Sequence, residues 1–276
     1  MLVCVFVTAL AGAATKHIAS YVPITTIVGF QYSICLLVSL PYVFRKGTKF
    51  IKTDYLVTHI IRSVGGWLCF LFYYLAIDHI PLVDAALLRS ASPLYVPVVI
   101  WFMTRKTLPI VQWLPLILGF LGVGLVLRPD AGSINIWYFV GFLSAVFLAI
   151  SMVYTRKLTF TEPSQRILFY YFLISFIGSL PFMILGWKPL PWYALPYLLF
   201  IGLSIYMALW LYTRAYMYAQ AILVSPFSYF GVVFSGLLGW IFWDHIPGFI
   251  SLAGIVLIVF GGIITVFIQE NEPAKL

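Results

Sequence analysis

The chain has 276 residues, of which 63% are hydrophobic and 9% charged, with a formal net charge of +8. A water-facing domain carries roughly 25% charged residues, so a soluble globular fold is excluded and lipid must solvate most of the surface. The positive balance does not point to nucleic acid, because Lys and Arg stand in short clusters between long apolar runs, as they do in cytoplasmic loops.

Inside a bilayer only helices and closed barrels satisfy the backbone. A barrel would show short alternating segments. The runs here are long and unbroken, which predicts an all-α membrane protein. In chain order, spans of about 20 residues fall at 2–20, 24–44, 55–77, 82–103, 111–127, 136–155, 166–186, 194–216, 221–243 and 248–268. Met1 to Ala14 is apolar and rich in small residues, yet it lacks the basic stretch that opens a signal peptide, and reads as the first span. Cys4, Cys35 and Cys69 fall in apolar runs with no CxxC pair, so they read as small buried residues, with no metal site. Pro81 and Pro247 suit the first turn of the helices that they precede.

Charge sets the orientation. With the first residue inside, Arg45, Lys46, Lys49, Lys52, Arg105, Lys106, Arg156, Lys157 and Arg166 all fall on the cytoplasmic side. The other side holds Arg128, Lys188 and, at the end of the first span, Lys16. Both termini are therefore expected in the cytoplasm of an inner (plasma) membrane.

The two halves are similar to each other. An offset of 139 (212 − 73) pairs Tyr73 with Tyr212, Ala76 with Ala215, Trp101 with Trp240, Leu118 with Leu257 and Gly122 with Gly261. An offset of 140 (174 − 34) pairs Ile34 with Ile174 and Ser39-Leu40-Pro41 with Ser179-Leu180-Pro181. A unit of five spans crosses an odd number of times, so its second copy enters the membrane inverted. The expected architecture is ten transmembrane helices in two inverted repeats, 1–130 and 131–276. Such repeats mark secondary transporters, with the solute site at their interface near the midplane.

Arg89 stands out within that frame. It lies eight residues past Pro81, about 12 Å along the helix, in a bilayer whose half-thickness is about 15 Å. An arginine there costs on the order of 3 kcal/mol and should face a cavity. It either grips a carboxylate or phosphate on the solute or bonds carbonyls or Asp84 in a structural role. Asp84, in the first turn, is stabilised by the helix dipole. It reads as an ordinary helix-start acid, an outer gate partner or a proton-coupling group. Lys16 reads as an interfacial residue or as charge at the cavity mouth. Arg62 and Arg214 read mainly as interface anchors, and Gln31 as a helix-to-helix bond.

Among the many aromatic residues, Trp67, Phe70 and Tyr74 share one stripe, Tyr206, Trp210 and Arg214 another, and Tyr229 aligns with Ser90 in the repeat. Such rings either pack or stack on a planar or cationic solute. Gly231, Ser235 and Gly239 form a ridge for close packing, as do Gly119 and Gly122. Pro93, Pro97 and Pro226 interrupt their helices, and breaks at related places in two halves point to a transport site. No HExxH, GxSxG or phosphate-binding loop is present, so the sequence offers neither an enzyme motif nor a site for ATP as direct energy source.

The run Tyr73-Tyr74-Leu75-Ala76, Ile80-Pro81-Leu82-Val83-Asp84-Ala85, Ser92-Pro93-Leu94, Gly119-Phe120-Leu121-Gly122-Val123 and Arg128-Pro129 resembles the first repeat of the drug/metabolite transporter superfamily, in its EamA-type form. The resemblance spans essentially the whole chain. It departs from the family at Trp243-Asp244, where Gly-Glu is usual, and at Arg105, where Glu is usual. It implies carriage of an amino acid, an amino-acid derivative or a nucleoside-like compound such as S-adenosylmethionine. The expected solute-binding residues are Arg89, Asp84, Ser92, Trp67, Tyr74, Tyr206, Trp210 and Tyr229, with no catalytic residue, metal or cofactor. Expected partners are a small solute and the bilayer, with protons or a counter-substrate for coupling, a homodimer as one assembly, and no nucleic acid. The rival readings are an efflux carrier for hydrophobic or drug-like compounds and a non-transporting scaffold or receptor.

Overall fold

The computed structural model describes residues 1–47, 50–105, 136–218, 230–244 and 248–271, with residues 114, 117, 118, 121, 122 and 125 between them. The regular structure of these residues is entirely helical. The helices are α1 (Leu2–Ile18), α2 (Ile24–Lys46), α3 (Leu56–His79), α4 (Leu82–Ser90), α5 (Ser92–Thr104), α6 (Ile136–Thr159), α7 (Ser164–Leu185), α8 (Leu195–Tyr218), α9 (Phe230–Trp243) and α10 (Phe249–Asn271). A short 3₁₀ turn, Trp192–Ala194, leads into α8. The span predicted at 111–127 and the first part of that predicted at 221–243, with Tyr229 and Pro226, lie outside the described residues.

Five stretches have the length and apolarity to cross a membrane, namely α2, α3, α6, α7 and the stretch from Trp192 through α8; α1 and α9 are shorter apolar helices. The outward surface is hydrophobic. Leu185 is 87% exposed and Phe44 76%, which suits a lipid solvent and would be costly in water. Cys4, Cys35 and Cys69 are buried and free.

The predicted single helix over 82–103 is two helices. Pro93 has no N–H to continue the ladder onto the Arg89 carbonyl. Ala91 turns at φ −71°, ψ −5°, and its N–H is shared between the carbonyls of Leu87 (3.1 Å) and Leu88 (3.2 Å). The chain resumes helix at Ser92, so the break falls two residues past Arg89.

The helices pack in matched sets: α3 on α6 and α1 on α8, α2 on α8 and α3 on α7, with α2 also on α7 and α4 on α9. Two close approaches depend on glycine. A Cβ on Gly65 would stand 3.1 Å from the Phe147 carbonyl of α6, and one on Gly202 would stand 2.7 Å from Ile34 of α2. The hydroxyls of Tyr32 and Tyr171 meet at 2.8 Å between α2 and α7.

A polar clasp closes the end of the bundle where α6 turns into α7. Glu162 is 5% exposed. It accepts hydrogen bonds from Thr53 and Arg166, and His59 Nε2 lies 3.8 Å from it. Arg166 also donates to the Phe50 carbonyl at 2.6 Å, and the Tyr170 hydroxyl donates to the carbonyl of Ile51. The His59 ring stacks on Tyr170 with centroids 4.5 Å apart.

Candidate functional site

Residues 62, 66, 70 and 73 recur every three or four positions, so they share one face of α3. Here they are Arg62, Gly66, Phe70 and Tyr73, and all four line a cavity of about 110 Å³ in the middle of the bundle. From α4 and the break after it come Arg89, Ser90 and Ser92. From α6 come Leu148, Ser151 and Met152. Tyr171 of α7, Tyr212 and Tyr216 of α8, and Gly231 and Ser235 of α9 complete most of the wall, and α1 adds Cys4 and Thr8. A buried water occupies on the order of 10–15 Å³ on this scale, so the space holds several waters or a small solute.

Two guanidinium groups enter this space. Arg89 lies against two rings of α3, 4.7 Å from the Phe70 centroid and 4.9 Å from that of Tyr73. Its Nε has no hydrogen-bond partner among the described residues. Arg62 is only 2% exposed. Its guanidinium sits over the Tyr171 ring at 3.7 Å, its Nε donates to Thr155 Oγ1 at 3.1 Å, and its Nη1 has no partner among the described residues. No Asp or Glu lines the cavity among the described residues. Ring faces hold each cation in place.

Burial at this depth corrects the reading of Arg62 as an interface anchor. The adjacent Gly65-Gly66 is the signal for it. Gly65 lets α6 approach, and a Cβ on Gly66 would lie 2.7 Å from Tyr171 Cε2, so Arg62, one turn earlier on the same side of α3, is covered by Thr155 of α6 and Tyr171 of α7. Arg214, by contrast, is exposed and lies 4.5 Å from the Trp210 centroid.

Of the other residues singled out in the sequence, Ser92 lines the cavity with Arg89. Trp67 and Tyr74 stand on a different face of α3. Trp67 donates to Ser179 of α7 at 2.8 Å, and Tyr74 donates to Gln31 of α2 at 2.6 Å. Tyr206 packs against Phe172, centroids 5.6 Å apart, and neither it nor Trp210 lines the cavity. Asp84 is buried and accepts a hydrogen bond from Tyr138 at 3.0 Å. Tyr73 and Tyr212, paired by the repeat offset, both line the cavity. Gly231 admits Val5 of α1, 3.1 Å from where its Cβ would be.

At the far end of α3 a second recess, of about 260 Å³, is lined by Lys16, Asp78, Gly239 and Trp243 among others. Lys16 donates to the carbonyls of Ile77 (2.6 Å) and Ile80 (2.8 Å). It is a cation on a helix C-terminus, where the last carbonyls need donors, and so it ties α1 to α3 instead of reaching freely for the interface.

These features define a multi-pass helical membrane protein with a largely apolar chamber at its centre that carries two arginines. The profile of the EamA-like transporter family matches residues 1–128 and 135–267, and the chain belongs to that family. It is accordingly a membrane transporter of small molecules and not an enzyme. It is 31% identical over 254 residues to the pseudopaline exporter CntI of Pseudomonas aeruginosa, covering 90% of this chain and 87% of that one. It is 27% identical over 287 residues to a riboflavin transporter of Vibrio cholerae (96% and 91% covered). It is 23% identical over 248 residues to an S-adenosylmethionine uptake transporter of Rickettsia bellii (89% and 84% covered). A crystal structure that is 20% identical superposes with a TM-score of 0.64 over 98% of each chain, a likeness of fold.

Proposed function

We propose that this chain is a secondary carrier of a small organic solute bearing an anionic group, working by alternating access between two inverted five-span repeats, 1–130 and 131–276. The observation that carries the reading is Arg89, a residue lining the chamber beside a helix break, with aromatic rings under its guanidinium and an Nε–H that has no hydrogen-bond partner among the described residues. Arg89 would hold the anionic group, with Ser92 and the rings of Phe70 and Tyr73 around the organic body. The matched packing of α3 on α6 with α1 on α8 supports the inverted pairing. So does the contact of Tyr32 with Tyr171, residues 139 apart whose hydroxyls touch, as equivalent positions beside a two-fold axis would. Both termini would lie in the cytoplasm of an inner membrane, and coupling would use protons or an exchanged solute.

The relatives named above carry different metabolites, which favours an amino acid, an amino-acid derivative or a nucleoside-like compound as class over any single member. Export is the second reading for direction, favoured by the 31% identity to an exporter. In proteoliposomes of the purified chain, counterflow of labelled amino acids and nucleosides tests the reading. Arg89→Ala should abolish exchange of carboxylate solutes while the protein elutes and melts as a folded species. Undiminished exchange by that variant would remove Arg89 from the site. Net flux in both directions from the same vesicles decides between uptake and export.

A further inference from the structure

We infer that the chamber is built for a solute with two anionic groups, one taken by Arg89 and the other by Arg62. This rests on the reading of Arg89 as an anion-binding residue and adds a second subsite to it.

Arg62 is a fully enclosed cation that the fold does not neutralise. Its side chain is 2% exposed, its side-chain hydrogen-bond partners are the neutral hydroxyls of Thr155 and Tyr171, and Nη1 is unpartnered among the described residues. Leaving a buried charge without a counter-charge is strongly unfavourable, and a structural arginine would be matched as Arg166 is by Glu162. The chamber supplies no carboxylate of its own among the described residues. On this reading the negative charge arrives with the solute.

The placement of the two cations sets the geometry. Arg62 lies on Tyr171, whose ring edge abuts Gly66. Arg89 lies on Phe70, four residues further along the same face of α3. The two guanidiniums therefore enter the chamber beside successive turns of α3. A solute carrying two carboxylates on a short carbon chain would present one to each. A guanidinium offers a planar pair of N–H donors to each carboxylate. Gly66 lets Tyr171 and Ser151 close against α3, and Ser90, Ser151 and Tyr212 remain for the body of the solute.

The test is thermal stabilisation of the full chain in detergent by succinate, glutarate and glutamate, against butyrate and valerate at equal ionic strength. Ligand that binds only the folded protein raises its melting temperature by mass action. The dicarboxylates should bind roughly ten-fold more tightly than the monocarboxylates, the size of one added charge-assisted contact. Arg62→Gln should erase that difference while leaving the monocarboxylate shift in place, and Arg89→Gln should weaken both classes. Should Arg62→Gln fail to fold, Arg62→Lys keeps the charge without the fork and should narrow the difference. Equal binding of mono- and dicarboxylates by the unaltered chain, or a dicarboxylate preference that survives loss of Arg62, overturns the two-subsite inference alone. No shift from any carboxylate overturns the Arg89 reading beneath it as well.

Discussion

Arginines occur in two settings here, and the contrast separates architecture from function. In the clasp at the α6–α7 turn, Arg166 finds a carboxylate in Glu162 and a carbonyl in Phe50. In the chamber, Arg62 and Arg89 find ring faces and neutral hydroxyl or thiol groups. In the first setting the charge of Arg166 is met by a carboxylate. In the second, no carboxylate among the described residues lines the cavity beside the two cations. Burial alone does not mark a binding residue; the binding role proposed for Arg62 and Arg89 rests on burial without a charge partner beside a cavity.

The sharpest way to break this comparison is to remove the carboxylate of the clasp. Glu162→Ala leaves Arg166 without its anion and should destabilise the protein by about 3 kcal/mol, the low end for breaking a buried pair because Arg166 is partly exposed. Thermal melting reads this, and solute affinity of the surviving folded protein should be unchanged. If affinity falls while stability holds, the clasp belongs to the site. Next comes the chamber wall. Gly66→Val would drive Tyr171 out of its place under Arg62, since a Cβ alone would already stand 2.7 Å from the ring. Overpacking of this kind costs about 1–3 kcal/mol, and exchange in proteoliposomes should be lost even in the fraction that folds. The smallest effect is expected at Trp67, which a bare inventory of aromatics on α3 would place in the site. Trp67→Phe forfeits the bond to Ser179, about 1 kcal/mol, and exchange per folded molecule should match the parent. A large loss of exchange there would mean that the chamber extends to the α3–α7 seam.

Most helix positions follow from runs of apolar residues, and Pro93 signals the interruption that divides the expected 82–103 span in two. What the sequence shows poorly is azimuth. In α3 the stripe through Trp67 and Tyr74 looks as suited to a cavity as the stripe through Arg62, Gly66, Phe70 and Tyr73, because every face of the helix is apolar or aromatic. The usual guide, a polar face against an apolar one, fails when lipid covers one side and packed helices the rest. In α8 the same ambiguity favours Tyr206 and Trp210 over Tyr212 and Tyr216, which line the chamber. Internal symmetry carries the missing information. Tyr73 and Tyr212 are paired by the repeat offset, and each marks the chamber-facing side of its helix. Arg62 has no such partner, since Ile201 occupies the offset position, and the cue there is the glycine pair that follows it.

The most direct test of the chamber is the reach of water-soluble thiol reagents in sealed membranes. With Cys4, Cys35 and Cys69 replaced by serine, Ser92→Cys should react with a charged methanethiosulfonate and be protected by a bound carboxylate solute, whereas Leu37→Cys on the lipid-facing side of α2 should not react. Silence at position 92 from both sides of the membrane, with position 37 equally silent, would mean that no hydrated space surrounds Arg89, and the transport site described here would not exist.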